Sequence, residues 1–459
     1  MLKIHDSLML TISNVISLVA SLLLVLGLPK VIGVEEFSHW QLYLYWLAFS
    51  PLLHLGWVDG VYIIIGRFVS TENNAKVWDK NNFLLFSSFI LLLALVITGI
   101  SVLYFEDNFI FIIVLIFSIF ITNIRAYLYS VVQSQGYFKV YAKNVILSNV
   151  MQIVFITSSV MFFSGALIYL IVADLLVRLF STISIYFKVS SDFTNRNVNV
   201  PIKNILKMGT PIVIAYIVVI ANSSLVRGVF NLKWGVIQFG GLSVMMGIAK
   251  VFLLGFQPLT LTMFPILKKH RNDQKQNEYL TQADFLLTYI LMFAMLAFYM
   301  FGLVLERWLP DYTEFLIFYY LLSAFCFFET RFFSVYVPAI KAKEKSPLLM
   351  NVNIGTLCFT FFSCVLFGYI IPNKVMLVMM ISVSSLIKIY FIKKSISYEP
   401  LMMVKLIGYF IFFGVVSFLF LEGFIVEVFV SYSLVLIIYS YAKREKIKSS
   451  FLYVRGKKS

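Results

Sequence analysis

Residues 108–133 read NFIFIIVLIFSIFITNIRAYLYSVVQ, an apolar run with one charge in it, Arg125. A helix needs about 20 apolar residues to cross the roughly 30 Å hydrocarbon core of a bilayer, so the run is long enough to span one. A guanidinium at that depth costs at least about 2.5 kcal/mol, and such residues persist where they face a cavity or a partner. Thirteen further runs satisfy the same criterion. They lie near residues 7–28, 37–66, 82–104, 144–163, 166–187, 208–230, 235–266, 283–305, 312–338, 348–370, 374–392, 405–421 and 424–441. The chain of 459 residues is 61% hydrophobic and 13% charged, with a mean hydropathy of +0.91, far outside ordinary soluble composition. The fold class is therefore an all-α polytopic membrane protein of about fourteen transmembrane helices.

Charge orients the helices. With both termini in the cytoplasm, twenty-eight of the 37 Lys and Arg residues fall in inner segments. Only Lys30, Lys233, Arg307 and Lys374 fall in outer loops, and Arg125, Arg178, Arg227, Lys250 and Arg331 fall inside spans. A missed or spurious span would invert this bias downstream, and no inversion occurs. The pattern fits a multi-pass protein of the bacterial cytoplasmic membrane. The first run, Ser7 to Leu28, has no small-residue cleavage pattern after it and reads as a retained helix.

Several function classes drop out. A net charge of +15 could suggest nucleic acid, but the cations are spread over short loops between apolar spans, so no nucleic-acid partner is expected. Cys326, Cys358 and Cys364 lie in apolar runs without metal-ligand or redox spacing, and no metal site is expected. Outer loops such as Phe163 to Ala166 are too short to host chemistry, and no phosphate-cradling Gly-rich motif is present. His54 is the one histidine well inside a span, and alone on an apolar face it reads as packed rather than catalytic.

A faint repeat at an offset of roughly 200 residues relates the Arg125 span to the Arg331 span, and Gly56-Trp57 to Gly255-Phe256. An even number of helices per repeat gives two lobes of like orientation. The chain then divides into a lobe at 1–190, a linker at 191–204, a second lobe at 205–394, two appended helices at 395–441 and a basic tail at 442–459. The tail is placed on the anionic inner leaflet.

The candidate functional residues are the polar groups at bilayer depth. Ser118, Thr122, Arg125, Tyr129 and Gln133 recur at spacings of three and four and share a helical face. Such a stripe lines a cavity or makes interhelical hydrogen bonds. Asn14 in the first span joins Thr122, Tyr129 and Gln133 as a candidate cavity polar group. Arg125 and Arg331 carry planar forks suited to phosphate oxygens without a metal. Lys250 is a third cavity cation, or else the ion-pair partner of Asp59 or Glu329. Asp174 and Arg178, four apart on one face, can pair with each other, or else Arg178 is a further cavity cation for the substrate. Arg227, close to an outer helix end, lines the cavity or snorkels to the interface. Asp59, between Gly56 and Gly60, suits proton or sodium coupling or partnership with a cation, and Asp174 and Glu329 are further coupling candidates. Five cations against these three carboxylates leave an excess of two, which favours an anionic cargo. Pro211 and Pro258 interrupt their helices and offer bends.

Three short motifs carry a family resemblance. Lys207-Met208-Gly209-Thr210-Pro211, Gln135-Gly136 followed by Lys139 and Tyr141, and Leu55-Gly56-Trp57-Val58-Asp59-Gly60 resemble those of the polysaccharide (oligosaccharide) flippases. These belong to the superfamily that also holds multidrug and toxic compound exporters. The resemblance covers spans one to twelve. Fourteen spans depart from the usual twelve and are more like the lipid II flippases of that superfamily. The resemblance implies a V-shaped pair of six-helix lobes that move an undecaprenyl-pyrophosphate-linked oligosaccharide from inner to outer leaflet by alternating access. It also implies membrane lipids and polysaccharide-biosynthesis machinery as partners, and H+ or Na+ coupling in place of a cofactor. The alternatives are an ion-coupled multidrug exporter of the same architecture, for which an acidic pocket would be more natural, and a membrane-embedded polysaccharide polymerase or acyltransferase.

Overall fold

The structure, a computed structural model, describes residues 4–71, 76–104, 109–163, 166–195, 201–256, 259, 263, 266–267, 273–343, 345–396 and 402–454. Pro258 and the loop cations Arg196, Lys268, Lys269 and Arg271 lie outside them. Among the described residues twelve helices are each long and apolar enough to cross a membrane, and two bent helix pairs bring the total to fourteen. The chain forms two compact units, residues 1–217 and 218–459. Large apolar side chains such as Leu92, Leu95, Phe162 and Ile437 stand exposed along these helices, as a hydrocarbon solvent requires.

The first unit contains α1 (Ile4–Leu26), α2 (Leu28–Leu47), α3 (Trp57–Thr71), α4 (Lys80–Tyr104), α5 (Phe109–Ser134), α6 (Phe138–Phe163), α7 (Leu167–Asp192) and the first half of α8 (Ile202–Trp234). Helix α5 packs against α3, α4 and α7, and α6 packs against α1 and α7. Around α5 an aromatic and aliphatic core gathers Trp57, Phe86, Tyr127, Leu128 and Val131. The second span is the first bent pair. It turns by 51° between Leu52 and Trp57, where Leu55 and Gly56 hold positive φ of 48° and 92°.

The three motifs quoted above meet in this unit as scaffolding. A Cβ built on Gly209 would lie 1.7 Å from the Gly56 carbonyl oxygen and 2.6 Å from the Gly60 nitrogen, so α8 crosses the start of α3 backbone to backbone. Thr210 Oγ1 closes the crossing by donating to the Leu55 carbonyl at 2.8 Å. Gln135 acts as an extra rung beside a short parallel pair, β1 (Val77–Trp78) with β2 (Thr194–Asn195). Its Nε2 donates to the Val77 carbonyl at 2.6 Å and its Oε1 accepts from the Val77 N–H at 2.8 Å.

The second unit continues α8 and adds α9 (Val236–Leu254), α10 (Asp273–Trp308), α11 (Leu316–Leu321), α12 (Ser323–Arg331), α13 (Val337–Ala342), α14 (Ser346–Val365), α15 (Lys374–Ile396), α16 (Met402–Leu421), α17 (Ile425–Ala442) and α18 (Arg444–Val454). All nine residues of α12 are buried, and α9, α10, α15 and α16 surround it. The tenth span is the second bent pair, turned by 45° between Leu321 and Ser323. A π turn at Phe332–Tyr336 precedes Pro338. Widening there relieves the clash a proline ring makes with the carbonyl four residues back. The appended helices are tied in by polar contacts. The Tyr299 hydroxyl sits 2.7 Å from Ser323 Oγ and 3.0 Å from Ser417 Oγ, joining α10, α12 and α16. The described part of the tail, α18, packs along α10, where Ser450 donates to Gln282.

Candidate functional site

In the first unit the polar stripe of α5 meets polar faces on α6 and α7. Asp174, 1% exposed, is the hub: Arg178 Nε donates to its Oδ2 at 2.6 Å and Nη2 to its Oδ1 at 3.2 Å. Gln152 of α6 donates to Oδ1 at 3.2 Å, and the Tyr43 hydroxyl of α2 lies 2.8 Å from Oδ2 and 2.9 Å from Ser118 Oγ. Thr122 accepts from Arg178 Nη1 at 3.2 Å. The pairing of Asp174 with Arg178 expected from their spacing is therefore present, and it is embedded in a network that four helices share.

Arg125 sits beside this network with a different partner set. Its Nη1 donates to Ser181 Oγ at 3.0 Å and Ser148 Oγ at 3.3 Å, and its Cζ lies 5.8 Å from the Tyr129 ring centre. Among the described residues no carboxylate lies within ion-pair distance of it, and Arg178 repels it. Tyr129 donates to Asn144 Oδ1 at 2.7 Å, and Asn144 Nδ2 donates to the Ser181 carbonyl at 3.0 Å. Asn144 also lines a cavity of about 680 Å³ between α6 and α7, whose wall carries Lys139, Lys143 and Lys188. Lys188 pairs with Asp192 at 2.9 Å. Arg125 is thus linked to a basic cavity through Ser181 and Asn144. Gln133, farther along the stripe, is half-buried.

Asp59 occupies the first turn of α3, half-buried beside the glycine crossing, and no cation among the described residues of its unit pairs with it. Asn14 is exposed on α1. His54 is buried and accepts from the Gly56 N–H at 3.2 Å through Nδ1.

In the second unit Arg227 of α8 and Lys250 of α9 face each other closely enough for their like charges to interact, and Arg227 Nη2 donates to Ser224 Oγ at 3.4 Å. Lys250 is exposed, and no carboxylate among the described residues of its unit lies within ion-pair distance. Its proposed partner Glu329 is already held, by Lys388 Nζ at 3.0 Å and by Ser385 Oγ at 2.6 Å. Lys388 was counted from sequence among the inner-loop cations, but it lies within α15 and is 7% exposed. Arg331 is likewise paired, with Asp284 of α10, through Nε at 3.0 Å and Nη2 at 2.9 and 2.8 Å. Adding Lys388 and Asp284 to the two sides leaves the intramembrane excess of positive charge at two.

Sequence reasoning overlooked Asp284, Lys388, Asn144, Ser148 and Gln152. The last three carried a readable signal, a spacing of four that puts them on one face of α6. Among the described residues no group of three or more His, Cys, Asp or Glu is placed to hold a metal.

The fold so described is shared with a lipid II flippase and with multidrug transporters of known structure. The chain superposes on the lipid II flippase MurJ in its inward closed conformation with a TM-score of 0.64, covering 97% of this chain and 100% of that one at 14% identity. A multidrug resistance MATE family transporter in its inward-facing conformation aligns with a TM-score of 0.64 over 83% of this chain and 98% of its own, also at 14% identity. A mutant of the Vibrio cholerae MATE transporter VcmN aligns with a TM-score of 0.59 over 86% and 97% at 11% identity. No protein-family model and no curated protein matches the sequence.

Proposed function

We propose that this protein is a flippase that carries an undecaprenyl-pyrophosphate-linked oligosaccharide from the inner to the outer leaflet by alternating access, as a step in capsule, exopolysaccharide or O-antigen-type assembly. The observation that carries this reading is the sign of the intramembrane charge. Among the described residues Arg125 and Lys250 have no carboxylate within ion-pair distance, whereas Arg178, Arg331 and Lys388 are each paired with one. A cationic drug would be repelled by such a surface, whereas a pyrophosphate would be attracted. The correspondence over 97% of this chain to a lipid II flippase supports the same class of cargo.

In this reading Arg125 and its neighbours Thr122 and Tyr129 hold the diphosphate or the first sugar, and Arg227 with Lys250 offers a second cationic face. Asn14 and Gln133 contribute polar contacts. Asp59 carries the coupling ion, because Asp174 and Glu329 are committed to Arg178 and Lys388.

The test is flipping of a pyrophosphate-linked oligosaccharide in proteoliposomes, read by lectin access, beside a neutral and a cationic amphiphile. Selective movement of the anionic lipid is expected; movement of the cationic compound alone would assign a drug exporter instead. Arg125→Ala removes a charge-assisted contact of about 1.5–3 kcal/mol and should slow flipping roughly 10- to 100-fold with membrane insertion unchanged. Arg125→Lys should fall in between, since an ammonium lacks the fork. Asp59→Asn should leave passive equilibration intact and remove its response to an imposed H+ or Na+ gradient. A gradient response equal to wild type would exclude Asp59 from coupling.

A further inference from the structure

The cavity of about 680 Å³ in the first unit lies between the start of α6 and the end of α7. Lys139, Lys143 and Lys188 stand in its wall, and none of the described residues lining it is acidic. Lys188 is neutralised from outside the wall by Asp192, at 2.9 Å. Lys139 and Lys143 are both exposed, and among the described residues no carboxylate lies within ion-pair distance of either. Like charges four apart on a helix oppose each other unless an anion joins them. Both ammonium groups can be reached from the cavity, so an anion entering it meets two free charges.

The rest of the wall narrows the ligand. Ser184 and Ser191 present exposed hydroxyls, and the Phe187 ring is 65% exposed. Hydroxyls donate to and accept from sugar hydroxyls, and an exposed ring offers a surface to the apolar face of a sugar. The volume corresponds to roughly twenty waters at liquid density, room for a diphosphate with a sugar attached. Leu147, Val150 and Val154 continue the helical face of Lys139 and Lys143 at spacings of three and four, and all three are exposed. Phe180 and Ile183 do the same on α7. A charged end therefore runs into an apolar surface long enough for a hydrocarbon tail. The lysines stand at the helix ends that the charge bias assigns to the inner leaflet.

We propose that this cavity is the docking subsite at which the cargo arrives from the inner leaflet. Lys139 and Lys143 hold the diphosphate, the first sugar lies against Ser184, Ser191 and Phe187, and the isoprenoid runs along the apolar faces of α6 and α7. The inference rests on the flippase reading and adds a step before the cargo reaches Arg125. Asn144 joins the two places. It lines the cavity, accepts from the Tyr129 hydroxyl and donates to the Ser181 carbonyl, and Tyr129 and Ser181 are the neighbours of Arg125. A phospholipid would share the lysines but leave the hydroxyl-lined part of the cavity unfilled.

The full-length protein in phosphatidylcholine nanodiscs is titrated with undecaprenyl diphosphate carrying one sugar, and separately with phosphatidylglycerol. Bound lipid is counted by native mass spectrometry, and lysine acetylation read by peptide mass shows which side chains the lipid shields. Wild type should bind the diphosphate lipid at least tenfold more tightly than phosphatidylglycerol. The lipid should shield Lys139 and Lys143 and leave the exposed Lys203 and Lys207 of α8 as reactive as before. Lys139→Gln/Lys143→Gln, altered only at exposed positions, should bind at least tenfold more weakly, and Lys139→Arg/Lys143→Arg should bind as wild type does. Arg444→Gln/Lys448→Gln, an equal loss of charge on α18, should leave affinity unchanged. Unshielded Lys139 and Lys143, or unchanged affinity in the glutamine variant, would overturn the subsite, and flipping still selective for the anionic lipid would then keep the flippase reading. Equal binding of phosphatidylglycerol would overturn the cargo as the occupant. Movement of the cationic amphiphile alone in proteoliposomes would overturn the flippase reading and this inference with it.

Discussion

Asp174→Ala should destabilise the protein by about 3–5 kcal/mol, the usual cost of removing one partner from a buried ion pair. The substitution leaves Arg178 buried without its counter-charge, next to Arg125, which already repels it. It also takes the acceptor from Tyr43 and Gln152, so contacts among α2, α6 and α7 weaken together. Asp174→Asn keeps part of the hydrogen bonding and should lose less. In the double variant Asp174→Ala/Arg178→Leu the stranded charge is gone, and most of the stability should return. Denaturation of the detergent-purified protein measures these three and the single Arg178→Leu variant. A double variant as unstable as the two single losses added together would mean that the pair contributes nothing as a pair.

Gly209→Ala should have an effect of similar size for a steric reason. Overpacking costs about 1–3 kcal/mol where side chains can shift, and occasionally more. Here the new methyl would collide with the Gly56 carbonyl and the Gly60 nitrogen, both main-chain atoms held by their own helix. The crossing of α8 over the start of α3 must open, and the loss should reach or exceed the top of that range. Gly408→Ala and Gly414→Ala provide the contrast, because a Cβ at either position meets nothing within 4 Å. Those two should be neutral or stabilising by up to about 1 kcal/mol through helix propensity. Equal behaviour of all three variants would show that the close crossing does not contribute to folding.

The positions that carry the resemblance were visible in the sequence, but their roles were not. Gly56, Gly60 and Gly209 each look like an ordinary small residue in an apolar run. Only the meeting of α3 with α8 shows why no side chain fits. Gln135 reads as a loop residue, yet it completes the hydrogen bonding of Val77, 58 positions away. Arg331 was legible as an anomaly, a charge in a span. Its partner Asp284 was not, because it sits at the edge of a span on a helix 47 residues earlier. The pairing of Asp174 with Arg178 was legible because both lie on one helix, where a separation of four sets their distance.

Span number and the surplus of positive charge within the spans are therefore readable directly from the chain. Each depends on hydropathy within about 20 consecutive residues or on the charge of a single loop, and neither needs any knowledge of neighbours. Which cations are compensated is a different matter. That depends on which faces of distant helices come together, and so on bends such as those before Trp57 and Ser323, whose angles follow from packing rather than from local composition. The fold alone pairs Glu329 with Lys388, leaves Arg125 and Lys250 without a carboxylate among the described residues, and sets Lys139 and Lys143 of α6 beside Lys188 of α7 around one cavity.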